Sequence, residues 1–328
     1  MIRFGIIGTN WITEAFLDAA REAEDFSLTA VYSRSEETAR AFAAKHGAIH
    51  IFTDVEAMAA SGEVDAVYIA SPNSFHARHA IACMNKGVHV LCEKPIASNA
   101  RELRQMIEAA KENGVLLMEA LKSTLLPGFR AIGESLPKIG TVRRYFANYC
   151  QYSSRYDAYK AGNVLNAFKP EFSNGALMDL GVYGVYPLVA LFGRPDAVKA
   201  TGVMLESGVD GEGSIVLQYP SMDAVIMYSK ITHSSLPSEI QGEKGSIVID
   251  KISEPSLVEI QYRGAESETI SQPTDDKTMY YEVREFINLI RLGRTESEVN
   301  SFANSLITME IMDEARKQIG LVYPADRE

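Results

Sequence analysis

The sequence predicts an α/β protein with two domains: a doubly wound nucleotide-binding domain, then an α+β domain with a large open, mixed or antiparallel sheet. The chain has 328 residues, which favours two domains over one. Over the first 120 or so residues, short β-branched runs alternate with helical patterns, as in successive βαβ units. Beyond about Pro127 the expected strands become longer, and several alternate polar with apolar residues. We therefore expect domains at 1–120 and 121–328.

The first domain is expected to hold parallel strands that are covered on both faces. Its strand candidates are apolar runs without polar alternation, which is typical of strands buried on both sides: Phe4–Ile7, Leu28–Tyr32, Ala66–Ala70, Val88–Leu91 and Val115–Met118. The helical patterns between them are Ile12–Ala23, Glu36–His46, Val55–Ala60, Ser74–Asn85 and Asn99–Asn113. Gly87 and Gly114 follow two of these patterns, where a left-handed helix cap is expected.

The second domain is expected to have a sheet with one free face and two closing helices. Its strand candidates are Thr141–Tyr149, Ala197–Leu205, Ser214–Tyr219, Ala224–Ile231, Ser246–Ile249 and Leu257–Tyr262. The short links between most of them favour an antiparallel or mixed sheet. The helices are Met279–Leu292 and Phe302–Ile319. Val258 and Ile260 lie on one face of their strand, and leaving them uncovered would be unfavourable, so we expect a homodimer or a dimer of dimers through this sheet.

Composition and charge exclude several classes of protein. Hydrophobic residues make up 46% and charged residues 23%, which is ordinary for a globular chain. The net charge of −11 disfavours nucleic acid and anionic membranes as partners. No basic segment followed by an apolar stretch opens the chain, and the most apolar window, 176–192, is interrupted by Asp179 and Pro187. Three cysteines without metal-site spacing indicate reduced thiols, so we expect a cytoplasmic protein without a bound metal.

A phosphate-binding turn is expected directly after the first strand. Gly8, Thr9, Asn10, Trp11 and Ile12 stand where a Gly-x-Gly-x-x-Gly turn brings backbone N–H groups and a helix N-terminus onto a pyrophosphate. Only the first glycine is present, because Asn10 and Thr13 replace the other two. Asparagine tolerates a left-handed backbone, so Asn10 is expected to keep the turn. A plain strand–helix turn is the alternative, and this segment alone does not decide between them.

The end of the second strand favours NADP over NAD, with NAD still possible. NAD-specific folds usually place Asp or Glu there to bind the ribose 2′-hydroxyl. Here Ser33 and Arg34 follow Tyr32, and they could meet a 2′-phosphate with charge-assisted hydrogen bonds. The alternative is that Ser33 or Ser35 caps the next helix while Arg34 is solvated, and the two interpretations are compatible.

Four ordered segments resemble the family of glucose–fructose oxidoreductase and inositol dehydrogenase, known as the Gfo/Idh/MocA family. They are Gly5–Ile12, Ala70–His76, Val88–Pro95 and Gly175–Tyr183, whose sequence is GALMDLGVY. The resemblance extends from Ile2 to the last helix and implies a Rossmann dinucleotide-binding domain followed by a substrate-binding and dimerisation domain. It differs after the last Rossmann strand, where Thr124 stands at a position that is Arg in many relatives, beside Lys122 and Ser123. The particular sugar substrate of a relative can therefore not be assigned to this protein.

Two polar turns follow strands of the first domain, at the edge where open α/β sheets bind ligands. One contains Ser71, Pro72, Asn73 and His76, and the other contains Glu93 and Lys94. The resemblance implies that both turns contact the cofactor. From the residues alone, His76 is better explained as a helix-face histidine.

Three residues are the candidates for catalysis. Lys94 is a cation that could donate to a substrate oxygen, although a solvated turn lysine paired with Glu93 is the alternative. Asp179 and Tyr183 lie four apart on an apolar helical stretch, where an acid and a phenol need partners. A buried Asp–Tyr hydrogen bond serving structure only is the alternative. The resemblance implies that Asp179 contacts substrate hydroxyls and that Tyr183 works with Lys94 in proton transfer; which of these two delivers the proton stays open.

We therefore predict an NADP(H)-dependent oxidoreductase that transfers a hydride between nicotinamide and a carbonyl or secondary alcohol of a sugar, polyol or trans-diol. Lys94 and Tyr183 are expected to converge from the two domains on the reacting carbon. Two other functions stay open: an NAD-dependent glycosidase that uses transient oxidation, and a non-enzymatic dinucleotide-sensing regulator. A regulator has no need of Lys94, Asp179 and Tyr183 together.

Overall fold

The computed structural model describes residues 1–327 and begins with a doubly wound α/β unit. Its strands are β1 Ile2–Ile7, β2 Phe26–Tyr32, β3 His50–Phe52, β4 Ala66–Ile69, β5 His89–Glu93 and β6 Leu117–Ala120. Its helices are α1 Trp11–Ala20, α2 Glu36–His46, α3 Val55–Ala60, α4 His76–Met84 and α5 Ala100–Asn113. The strands are all parallel, in the order β3-β2-β1-β4-β5-β6. The order reverses beside β1, so the ends of β1 and β4 form the crevice where such sheets bind ligands.

The rest of the chain supplies a large mixed sheet and further helices. The strands are β7 Val142–Cys150, β8 Ala197–Met204, β9 Asp210–Gln218, β10 Asp223–Ser229, β11 Ser238–Gly242, β12 Gly245–Ile249, β13 Val258–Tyr262 and β14 Glu268–Thr269. The helices are α6 Pro127–Ser135, α7 Tyr156–Lys160, α8 Val182–Phe192, α9 Tyr280–Arg291 and α10 Phe302–Ile319. The order is β14-β13-β12-β11-β7-β10-β9-β8, and only β7 and β10 pair in parallel. The predicted fold class is confirmed.

The chain divides into two compact units, and one segment of the C-terminal half belongs to the first. Unit 1 comprises Met1–Leu121 and Asp275–Ser305, and unit 2 comprises Lys122–Thr274 and the residues from Leu306 onward. The sequence had assigned Asp275–Ser305 to the second domain. The difference arises from the apolar stripe of α9, whose Phe286 ring lies 6.0 Å from the Phe4 ring of β1. At the surface of the same helix, Arg291 donates to the Asp25 carboxylate.

Helix α8 packs closely on the inner face of the second sheet. At Gly184 a Cβ atom would come within 2.6 Å of Ile226 on β10, so this position has room only for glycine. The Tyr145 hydroxyl on β7 donates to the Gly184 carbonyl over 3.0 Å. The segment Pro170–Phe192, which includes α8, is apolar and long enough to cross a membrane, but 72% of its apolar window is buried inside the protein, as in a core helix.

The uncovered face of the second sheet is not the one that the sequence indicated. Val258 and Ile260 are 1% and 0% exposed within the single chain, because they lie on the inner face with Ile240 and Ile247. The outer face instead carries a row of paired residues across β7, β10 and β9, namely Phe146, Val225 and Val216. The expectation that Val258 and Ile260 need a second copy to cover them is therefore wrong.

Candidate functional site

The turn after β1 is shaped to let backbone approach a ligand. Gly8 has φ +116°, and a Cβ atom there would lie 2.5 Å from the Ala70 carbonyl oxygen at the end of β4. Only glycine combines that conformation with so close an approach between the ends of two neighbouring strands. The turn therefore brings the start of α1 to the crevice between β1 and β4.

Asn10 keeps this turn by a different mechanism from the predicted one. Its backbone is extended, with φ −98°, so the expected left-handed conformation is wrong. Its side-chain oxygen accepts from the N–H groups of Ile12 and Thr13, and its amide nitrogen donates to Ala70 O over 2.9 Å. The Thr13 hydroxyl donates to Gly8 O, which satisfies the polar group that replaces the third glycine. Thr9 lies between Gly8 and Asn10, within this turn.

Trp11 is the first residue of α1, and its side chain is 67% exposed. An indole that lies so far out in solvent does not anchor α1 to the sheet. It remains at the surface of the phosphate turn, where it can report the binding of a dinucleotide.

The end of β2 combines a helix cap with an exposed cation. Ser35 caps α2 by accepting from Thr38 N, and Ser33 Oγ accepts from Ser35 N over 3.4 Å. Arg34 is exposed beside them. The two interpretations made from the sequence therefore coexist: the serines order the turn, and the guanidinium is available to an anion.

A second arginine, which the sequence analysis missed, stands near this corner. Arg78 on α4 lies over the Phe75 ring at 5.0 Å and is exposed. Burial lowers the pKa of His79 to about 4, and the positive charge of Arg78, then His76 and then Arg34, add to this decrease. Because both guanidinium groups act on one imidazole, this corner is electropositive, as a 2′-phosphate site requires.

His76 connects the turn after β4 to the turn after β5. It is 1% exposed; its Nδ1 lies 2.9 Å from Pro95 O, and its Nε2 lies 2.8 Å from Ser71 O. Burial lowers its pKa to about 4. A side chain this enclosed braces the two turns, and its contact with the cofactor stays a prediction. Ser71, Pro72 and Asn73 follow the end of β4 and are half-buried, and their contact with the cofactor stays a prediction.

Glu93 also lies beneath the surface. It is 8% exposed, and its carboxylate accepts from the buried Tyr68 hydroxyl at 2.5 Å and from Lys94 N at 3.2 Å. Its side chain therefore supports the turn, and its contact with the cofactor stays a prediction. Lys94, one residue on, is half-buried and is joined to Pro95 by a cis peptide bond.

Glu119 on β6 holds the residue after that proline, a role the sequence did not reveal. It is 2% exposed; it accepts from Ile96 N over 3.1 Å and from the Ser305 hydroxyl over 2.6 Å. Burial raises its pKa to about 7, although these two hydrogen bonds oppose the increase. The segment after Lys94 is thus fixed by a carboxyl group that titrates near neutral pH.

In unit 2, Asp179 and Tyr183 lie at the junction between a π-helical turn, Leu177–Gly181, and α8. Single π turns in helices are frequent at functional sites. Asp179 and Tyr183 are both half-buried, and the Tyr183 ring makes an edge contact with Tyr149 at 5.6 Å. The predicted pair therefore lies on one stretch of helix.

Two buried charged residues of unit 2 hold this helical stretch, and the sequence analysis named neither. The Lys230 ammonium lies 2.8 Å from Asp179 Oδ2. Asp210, which is fully buried, accepts from the first N–H groups of the stretch, Ala176 N at 3.0 Å and Leu177 N at 2.7 Å. Both residues stand at strand ends, and that position was the only available signal in the sequence.

The segment that differs from the family pattern is turned toward a neighbouring loop of unit 2. Lys122 pairs with Glu254, and the Ser123 hydroxyl donates to Ser253 O over 2.6 Å. Thr124 is 4% exposed. Among residues 1–327, no group of three or more His, Cys, Asp or Glu side chains has the arrangement of a metal site.

These features together fit a dinucleotide. Unit 1 offers a glycine turn at the switch point of a parallel sheet, a helix N-terminus and an electropositive corner at the end of β2. These are the places where such folds hold the pyrophosphate and the adenosine ribose. They define a dinucleotide-binding protein. The candidate catalytic residue Lys94 directly follows β5, a strand of the same sheet.

The family is established by comparison with known proteins. Residues 2–121 match the model of the oxidoreductase family with an NAD-binding Rossmann fold, GFO_IDH_MocA, and residues 137–248 match a GFO/IDH/MocA C-terminal domain. The chain belongs to this family. The predicted resemblance is confirmed, and so is the prediction of an NAD(P)-dependent oxidoreductase that acts on CH–OH groups.

Several relatives span the whole chain. The scyllo-inositol 2-dehydrogenase (NADP(+)) IolU of Bacillus subtilis is 60% identical over 100% of both chains, and the trans-1,2-dihydrobenzene-1,2-diol dehydrogenase of Mus musculus is 31% identical over 99% of both. The solved structure of KijD10, a 3-ketoreductase of Actinomadura kijaniata in complex with TDP-benzene and NADP, has a TM-score of 0.82 at 23% identity and covers 97% of this chain and 98% of its own. NADP, the cofactor named for two of them, is the one that the sequence predicted.

Proposed function

We propose that this protein is an NADP-dependent dehydrogenase of an inositol, which oxidises one ring hydroxyl to a ketone or catalyses the reverse reduction. The observation that supports this substrate is the identity of 60% over the full length to a scyllo-inositol 2-dehydrogenase. Related diols and sugars belong to the same substrate class, since they also present a secondary alcohol beside a second hydroxyl.

The proposed chemistry assigns one task to each polar side chain. When bound, NADP⁺ supplies the hydride acceptor. Lys94 donates a hydrogen bond to the reacting oxygen and stabilises its developing negative charge. Lys94 and Tyr183 share the transfer of the hydroxyl proton, and Asp179 accepts hydrogen bonds from neighbouring substrate hydroxyls, which orients the ring. Oxidation thus yields a ketone, NADPH and one proton.

The substrate class is tested by adding the purified protein to scyllo-inositol, myo-inositol, aldoses and trans-diols, each with NADP⁺ or NAD⁺. We expect absorbance of reduced nicotinamide to accumulate with an inositol and NADP⁺. Net accumulation also separates a dehydrogenase from a glycosidase, because a glycosidase returns its cofactor to the starting state. Absence of reduced nicotinamide with all of these compounds would contradict the proposal.

We propose that Arg34, ordered by Ser33, selects NADP by binding its 2′-phosphate. A charge-assisted contact of this kind contributes about 1.5–3 kcal/mol, so Arg34→Ala is expected to weaken NADPH binding about 10- to 150-fold and to leave NADH binding unchanged. Trp11 is the one tryptophan of the chain, and its fluorescence allows both titrations. Arg40→Ala, which removes an exposed arginine on α2, is the control. Equal losses for both cofactors would contradict this assignment.

We propose further that the chain forms a homodimer through the outer face of the second sheet. The support is the apolar row of Phe146, Val225 and Val216, of which Val216 is 45% exposed in the single chain. Val216→Lys is expected to yield a monomer at micromolar concentration by light scattering. Val322→Lys is the matched control, since Val322 is 49% exposed and lies outside the sheet. A monomeric wild-type protein would refute the dimer.

We propose that the protein works in the cytoplasm. The support is the reduced state of all three cysteines, Cys83, Cys92 and Cys150. Fractionation of cells that express the protein at its natural level tests this location, and recovery in the membrane pellet would contradict it.

A further inference from the structure

Lys230 is a buried lysine whose ammonium group contacts a carboxylate, a carbonyl oxygen and an aromatic ring. It follows the last residue of β10, and its side chain is 3% exposed. Its Nζ lies 2.8 Å from Asp179 Oδ2 and donates to Ala167 O over 3.2 Å, and the Phe168 ring lies 5.2 Å away. Lysine is almost never fully buried unless it is paired, so the position of this ammonium depends on these contacts.

The backbone on both sides of the ion pair is held by independent bonds. Lys230 N donates to Gly211 O over 2.8 Å, which fixes the strand end that carries the lysine. On the other side, Asp210 accepts from Ala176 N and Leu177 N at the start of the helical stretch that carries Asp179. The ammonium therefore meets the carboxylate in one fixed arrangement.

The exposure of the two partners is unequal. The side chain of Asp179 is 36% exposed, whereas that of Lys230 is 3% exposed. Lys230 contacts one carboxylate oxygen, Oδ2, while the Asp179 side chain as a whole keeps surface that a ligand can reach. A lysine with a purely structural role could be paired with a carboxylate that is itself buried, but Asp179 is partly exposed.

We propose that Lys230 is a positioning residue for substrate binding: it orients Asp179, so that the exposed part of the carboxylate accepts hydrogen bonds from substrate hydroxyls. This role rests on the function proposed above, in which Asp179 contacts a polyol. Lys230 itself does not touch the substrate. It acts on the reaction through Asp179 alone.

The test compares Lys230→Met, Asp179→Asn and the double variant, using whichever polyol, sugar or diol the wild-type protein oxidises. We expect Lys230→Met to lower kcat/KM about 10- to 100-fold, mainly through KM, because a misplaced hydrogen-bond acceptor weakens binding of the substrate. The Kd for NADPH is expected to stay within twofold of wild type. Lys251→Met, which removes an exposed lysine of the same unit, is the control and should behave as wild type.

The double variant distinguishes positioning from packing. If Lys230 acts only through Asp179, the double variant has the kcat/KM of Asp179→Asn within about threefold. Independent losses that multiply, or an unchanged kcat/KM for Lys230→Met, would overturn the proposal. If Lys230→Met alone fails to fold, Asp179→Asn is compared with Asp179→Asn/Lys230→Gln, which buries no unpaired charge and is judged by the same ratio. The wild-type activity tests the proposed function, and the ratios between variants test the role of Lys230.

Discussion

The carboxyl group of Glu119 is expected to make the stability of unit 1 depend on pH, and Glu119→Gln is expected to remove that dependence. Its pKa is raised from 4.5 to about 7, mainly by burial, which corresponds to about 3 kcal/mol of folding free energy. Because the folded state favours the protonated form, this contribution to stability is fully present below pH 4.5 and is lost as the pH rises to about 7. Glu119→Gln keeps an acceptor for Ile96 N and does not titrate.

The assay is thermal unfolding of wild type and Glu119→Gln from pH 5 to pH 8. Over this range the wild type loses roughly 2–3 kcal/mol that the variant retains, so the variant's Tm is expected to gain about 3–5 °C relative to wild type. His76 and His79, whose pKa values are lowered to about 4, act in the opposite direction, but they are present in both proteins and cancel.

Glu108→Gln is the matched control for this experiment, because Glu108 is an exposed glutamate on α5. Its Tm should follow that of the wild type at every pH. Parallel curves for Glu119→Gln and wild type from pH 5 to pH 8 would refute the reasoning, since they would mean that the buried carboxyl does not change its protonation in this range.

Three further predictions concern the framework of the site. Gly8→Ala is expected to lower Tm and to weaken NADPH binding at least tenfold, because its Cβ would clash with Ala70 O, whereas Gly47→Ala, also at positive φ but with open space around it, should leave binding unchanged when both are titrated by fluorescence. Phe286→Ala should destabilise the protein by about 3–5 kcal/mol in urea, as expected of a fully buried ring, and a loss below 1 kcal/mol would contradict the packing of α9 in unit 1. Asp210→Ala leaves two buried N–H groups without their acceptor at about 1–3 kcal/mol each, so its Tm should fall by several degrees, and an unchanged Tm would contradict its role as a helix cap.

The parallel sheet could be predicted because its signals are local. Each strand from β1 to β6 except β3 is a short apolar run, and helices α1, α2, α3 and α5 each begin with a side-chain cap. Strand β3, His50–Phe52, was missed because it is three residues long and half-buried. Strand β11, Ser238–Gly242, was missed because polar residues occupy most of its length, and its pairing with β7 supplies a stability that no local pattern reveals.

Sequence motifs identified the candidate site residues, but they did not identify the residues that hold them in place. Lys94, Asp179 and Tyr183 stand in segments with a recognisable order. Lys230 lies 51 positions beyond Asp179 in the chain, so nothing local connects the two. Glu119 likewise binds Ile96 N from a different strand. Long-range contacts of this kind depend on how the sheets place strand ends, and a single sequence does not contain that information.

The covered and uncovered faces of the second sheet show the same limit. Alternation along Leu257–Tyr262 identified two faces correctly but not which of them is buried inside the protein. The inner face contains Val258 and Ile260, whereas Val216 on β9 and Val203 on β8 are exposed. Face assignment needs the position of the packing helix, and Gly184 marks that position only once the structure is known.

We predict that Lys94 takes part in the chemical step, and steady-state kinetics of Lys94→Met measures its contribution. With the inositol that the wild type oxidises and saturating NADP⁺, we expect kcat to fall about 10²- to 10⁴-fold while the Kd for NADPH stays within threefold. Lys86→Met, which removes an exposed lysine after α4, should retain the wild-type kcat. A Lys94→Met protein that keeps more than a third of the wild-type kcat would contradict the claim.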